Sequence, residues 1–126
     1  MEVTDEQKRD LARRMLEIME TMEEALQYMQ TQLDGLKLEA AKELFSDFAV
    51  AAGRLTELLP EFFMEERKEQ LLKVLRELRG AITCMQKAFG GGELPQMQLV
   101  LAQVMAPAFT SWREEARQHL LTWAAV

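Results

Sequence analysis

The stretch Ala88–Trp112, "AFGGGELPQMQLVLAQVMAPAFTSW", decides how this chain is read. Three glycines are followed by a proline, then a long uncharged run, then a second proline where a helix should continue. No charge stands between Glu93 and Arg113, although 29% of the chain is charged. Gly90, Gly91 and Gly92 end one helix, and Pro95 suits the first turn of the next, where a missing N–H costs nothing. On an unbroken helical wheel Met97, Val100, Leu101, Val104 and Ala108 share one side. Leu99, Ala102, Ala106 and Phe109 fall toward the other. A helix that is apolar nearly all round is packed on more than one side. Pro107 removes a backbone hydrogen bond and crowds the turn before it, at a cost of about 3 kcal/mol or more, so a kink is expected there.

Outward from this stretch the chain is patterned for helices. Thr4, with Asp5, Glu6 and Gln7, forms a helix start in which Thr4 caps and the acids meet the positive end of the dipole. Leu11, Met15, Ile18, Met19, Met22, Leu26, Met29 and Leu33 then recur at spacings of three and four, which marks one buried face. Asp34-Gly35 ends this helix. The second stripe is Leu38, Ala41, Leu44, Phe45, Phe48, Ala52, Leu55 and Leu59, stopped by Pro60. The third is Leu71, Leu72, Val74, Leu75, Leu78, Ile82, Met85 and Phe89. Phe109, Trp112, Ala116, Leu120 and Trp123 carry the fourth to the end. A possible internal repeat registers Met15 on Leu71, Leu26 on Ile82 and Gly35 on Gly91, which suits two similar hairpins.

The expected fold is therefore all-α: an antiparallel up-down-up-down four-helix bundle made of two helical hairpins, with the fourth helix kinked at Pro107. Residues 1–126 form one domain, hairpin one spanning about 4–59 and hairpin two about 61–124. The hydrophobic content of 48% suits a folded core.

Composition excludes several activities. A net charge of −6 argues against nucleic acid, whose phosphates need clustered Lys and Arg. Leu94–Trp112 has about the length of a membrane span, but Gln96, Gln98, Gln103, Thr110, Ser111 and two prolines argue against one. The polar start "MEVTDEQKRD" is no signal peptide, and a lone Cys84 allows no internal disulfide, so a cytoplasmic setting is expected. One His, one Cys and one Tyr cannot build a catalytic constellation or a di-iron site. His119 stands four residues after Glu115 on one helix face and reads as a surface histidine. Cys84, beside the core position Met85, reads as a partly buried thiol. The triple glycine lacks the Lys-Ser/Thr of a phosphate loop. No catalytic, metal-ligating or cofactor-binding residue is expected, and no cofactor.

The fourth-helix segment carries a resemblance. Ala88, Phe89, Gly92, Pro107 and Trp112 match a pattern of Ala-Phe-Glu-Asn/Gly-Asp, an apolar run, Leu-x-Pro, an apolar residue and Trp. In these residues the segment is similar to small bacterial proteins of unknown function, mostly from Firmicutes. Glu93 stands where that family prefers Asp, and Ala106 precedes Pro107. The stretch "ALQYMQTQLDGLKLEAAKELFSDF" also looks like that family's first hairpin. The resemblance brings no activity with it. A looser likeness of architecture links the chain to flagellar and secretion export chaperones, which are small, acidic, helical and Met-rich.

These features imply a non-enzymatic helical protein–protein interaction module, an adaptor or chaperone-like protein. The candidate interface is Leu99, Ala102, Ala106 and Phe109, with Met15, Met19 and Met22 on the first helix, since methionines suit adaptable surfaces. The partner is another protein or the chain itself as a homodimer. The alternatives are a structural homo-oligomer built on the fourth helix, and an enzyme or small-ligand carrier with an interhelical pocket.

Overall fold

The computed structural model describes residues 4–125; Met1–Val3, the first part of the N-terminal segment read above, and Val126 lie outside them. The described residues are all-α, with no strand among them. Helix α1 covers Asp5–Asp34, α2 covers Leu38–Leu58 and α3 covers Lys68–Gly91. A short α4, Leu94–Val100, runs through a π-helical turn at Leu101–Met105 into α5, Ala106–Ala124. Two 3-10 turns, Leu59–Phe62 and Glu65–Arg67, connect α2 to α3.

The helix starts follow local chemistry. The Thr4 hydroxyl accepts from the Gln7 N–H at 3.1 Å, and the Gln7 side chain accepts from the Thr4 N–H at 2.9 Å. This capping box satisfies two donors that the helix cannot satisfy itself. Gly92 ends α3 at φ 73°, the left-handed region where a side chain is strained. The end of α1 differs from expectation. Gly35 keeps φ −87°, and the left-handed residue is Leu36 at φ 63°. The Leu36 N–H donates to the Leu33 carbonyl, and the Lys37 N–H to the Gln32 carbonyl. The turn thus needs its left-handed residue one position later than the glycine.

Packing joins α1 to α2 and to α5, and α3 to α5 and α4. Helices α2 and α3 meet only sparsely, and Phe45 bridges them against Phe89 at a centroid distance of 5.5 Å. Phe48 meets Phe109 edge-on at 5.4 Å, and Phe109 meets Trp112 at 5.9 Å. Each such pair contributes about 0.5–1.5 kcal/mol beyond the area it buries. Met15, Met19, Met22, Met29, Met85, Met97 and Met105 are all buried with them. Flexible thioethers fill the irregular space between rigid rings. Three stripe positions lie outside this core: Ile18, Leu72 and Val104 are exposed.

Long-range polar contacts pin the helix ends. Gln98 donates to Asp34 at 2.9 Å, tying α4 to the end of α1. Arg113 pairs with Glu23, joining α5 to the middle of α1. Lys8 lies 4.6 Å over the Trp123 ring, and Arg13 donates to the Ala124 carbonyl. The Trp112 Nε1 is buried and has no hydrogen-bond partner among the described residues, which nothing in the structure explains.

Leu36 is exposed and carries left-handed strain with no compensating contact in the core. Leu36→Gly is expected to stabilise the protein by about 0.5–1 kcal/mol, the relief of strain exceeding the added chain entropy. Urea denaturation checks this; a loss of stability would mean that the leucine side chain contributes packing.

Candidate interaction face

The uncharged run folds as one continuous rod with a change of phase inside it. In a regular helix Pro107 would leave the Gln103 carbonyl without a donor and would press its ring against it. The chain widens the turn ahead of the proline instead. The Ala106 N–H donates to the Leu101 carbonyl, five residues back. Met105 and Ala106 keep right-handed helical backbone angles, so the rod continues. The wide turn takes up one extra residue, and everything after it is rotated by one position, roughly 100° on a helical wheel.

That rotation moves the predicted faces. The buried line runs Met97, Val100, Leu101, Met105, Phe109, Trp112, Ala116 and Leu120. Val104, expected on the core side, is 38% exposed, and Met105 is buried in its place. Phe109, expected beside Leu99, is 2% exposed and packs on Phe48 and Trp112. Leu99 is 45% exposed, Ala102 is exposed and Ala106 is half-buried. Met15, Met19 and Met22 are buried within the chain. The structure therefore brings Leu99, Ala102 and Ala106 to the outer side of the rod and places the other four residues inside. Pro95, Gln96, Gln103, Pro107, Thr110 and Ser111 complete the exposed surface, and none carries charge. The π turn had no periodic signature of its own; Pro107 was its sequence signal.

A second polar constellation lies at the far end of α5. Glu115 is buried, and its Oε1 accepts from the Arg67 Nη2 at 3.0 Å. His119 Nε2 stands 3.6 Å from the same oxygen, and its ring stacks on Phe63 at 4.0 Å. The shared face of Glu115 and His119 was legible from their spacing. Arg67 was not, because it comes from a turn distant in sequence. His119 is mostly buried rather than a surface residue, and Cys84 is exposed rather than partly buried. The arrangement ties the 3-10 turns to α5: one carboxylate receives a cation from one side and an imidazole from the other. Among the described residues no three His, Cys, Asp or Glu side chains converge in a way that could hold a metal ion. None of the described helices is long and apolar enough to cross a membrane.

An all-helical protein with an uncharged outer helix surface and one buried carboxylate held by a half-exposed arginine is the class these features define. The chain belongs to the DUF8042 family, a domain of unknown function whose model matches residues 10–115. That match covers α1 to the first half of α5, the uncharged rod included. No curated protein and no solved structure matches the chain.

Phe109→Ala is expected to destabilise the protein by about 3–5 kcal/mol, whereas Leu99→Ala stays within about 0.5 kcal/mol. Equal losses in a denaturation series would put both residues on one face. Arg67→Ala leaves the Glu115 carboxylate buried without its cation and is expected to cost about 1–3 kcal/mol. Arg117, half-exposed and 4.0 Å from Glu114, should cost within about 0.5 kcal/mol when changed to Ala.

Proposed function

We propose that this protein is a non-enzymatic interaction module, an adaptor or chaperone-like protein that docks a helical segment of another protein on the outer side of the α4–α5 rod. One observation carries the reading: the exposed surface from Pro95 to Ser111 is free of charge in a chain where 29% of residues are charged. Depletion of charge, more than bulk hydrophobicity, marks the centre of protein interfaces. Leu99 and Val104 supply apolar anchors, and Ala102 and Ala106 let a second helix approach closely. Gln96, Gln103, Thr110 and Ser111 provide donors and acceptors at the edges.

The buried Met15, Met19 and Met22 serve the core in this reading. The fold that goes with it is a single four-helix bundle of two antiparallel hairpins, bent near Pro107. The pairing of α1 with α2 and of α3 with the rod supports it, as does the widened turn ahead of the proline. A cytoplasmic setting suits an exposed, unpaired Cys84, since reducing compartments keep such thiols free.

A photo-crosslinking residue at Ala102 tests the docking surface in cells. The expected result is a discrete protein adduct that is lost in Leu99→Asp while the variant keeps the wild-type melting temperature. An adduct unaffected by Leu99→Asp, or no adduct at Ala102 and one on the opposite face, overturns the reading. If Leu99→Asp unfolds the protein, the surface is core and the docking reading loses its basis.

A further inference from the structure

A second surface, on the other helix pair, carries an acid and a base beside exposed apolar side chains. A groove of about 250 Å³ lies between α1 and α2, lined by Ile18, Val50, Ala51 and Leu55 with Asp47 and Arg54 beside them. Ile18 is 40% exposed and Val50 53%, although the spacing of Ile18 assigns it to the core stripe. Asp47 and Arg54 are exposed, and neither makes an ion pair or side-chain hydrogen bond with any described residue.

We infer that a second copy of this chain docks here, α2 against α2 in antiparallel orientation, about a two-fold axis that passes between Val50 and Ala51. The charge pattern is self-complementary about that point. Asp47 and Arg54 lie two helical turns apart, about 10 Å along the axis, and stand at equal distances on either side of it. The rotation sets Asp47 opposite Arg54 of the second copy, and Arg54 opposite its Asp47. The paired Val50 and Ala51 meet at the centre. The next acids outward do not collide: Glu43 falls opposite Leu58, and Glu57 opposite Leu44.

Neighbouring registers fail. An axis through Val50 sets Glu43 against Glu57 and leaves Asp47 opposite Gly53. An axis through Ala51 leaves neither Asp47 nor Arg54 opposite a charge. Of these three registers only the one between Val50 and Ala51 sets Asp47 against Arg54, in an isologous arrangement in which the same patch serves both copies. The dimer leaves the α4–α5 rod unused, so it stands or falls separately from the docking reading above. Its ion pairs are exposed at the rim, which makes association sensitive to salt.

Sedimentation velocity over a dilution series, at low and at moderate salt, tests this on the full chain. The expected result is a monomer–dimer equilibrium that weakens as salt rises. Asp47→Arg and Arg54→Asp, each at an exposed position, should weaken it by about tenfold or more by opposing like charges. An equal mixture of the two variants should dimerise as the wild type does, because every facing pair is again opposite in sign. Circular dichroism must show unchanged helicity in each; should either variant lose it, Asp47→Asn and Arg54→Gln take their place and should each weaken the dimer. A wild-type monomer up to about millimolar concentration overturns the inference. So does a mixture that fails to restore the dimer, or a dimer that ignores both substitutions and is lost in Leu99→Asp.

Discussion

Pro107 is the constraint around which the rest of this structure is arranged. It stands inside the least charged helix of the chain, where a regular backbone would lose a hydrogen bond and suffer a clash. The widened turn at Leu101–Met105 avoids both and rotates the remainder of the rod. Because of that rotation Met105, Phe109, Trp112, Ala116 and Leu120 all enter the core. Phe109 then reaches Phe48 on α2, and Trp112 meets it at a tilt. Without the extra residue the seam of α5 would turn its aromatic rings away from α1 and α2.

The methionines are the counterpart of those rings. Trp112, Phe48 and Phe109 are rigid and fully buried, and they leave gaps of irregular shape. Met15, Met19, Met29, Met85, Met97 and Met105 share the same buried core, and a methionine side chain can bend into irregular space. A first helix rich in methionine invites a reading as a binding surface. Here the same side chains are spent on the interior. What is left for recognition lies on outer faces: the uncharged side of the α4–α5 rod, and the groove along α2 with its unpaired Asp47 and Arg54.

Polar contacts of long sequence separation hold these elements in place. Arg67–Glu115, Glu23–Arg113 and Gln98–Asp34 each join parts of the chain that no local rule connects. Glu115 is the buried member, and burial makes its partner matter more than an exposed pair would. The stacking of Phe63 on His119 closes the same end of the molecule with apolar surface. The far end of α5 is thereby anchored to the turns between α2 and α3.

The sequence by itself determined the helical class, the position of each helix and most of the core, because stripes of apolar residues at spacings of three and four leave no other regular structure to bury them. Thr4 with Gln7, Pro60, Gly92 and Pro95 marked the helix ends through local backbone chemistry. Cys84, Ile18 and Leu72 were misjudged because a stripe fixes a side of a helix but not how wide a neighbour covers it. Leu36 took the left-handed position beside Gly35 because the hydrogen bonds of that turn, not the residue type, set the register. The tertiary structure alone decided which side of the uncharged rod is buried. Wheel positions assume a constant turn, and the Leu101–Met105 turn breaks that assumption, exchanging Val104 for Met105 and drawing Phe109 inward. It alone also placed Arg67 on Glu115 and left Asp47 and Arg54 without partners, since ion pairs between distant segments depend on packing and leave no periodic trace in a sequence.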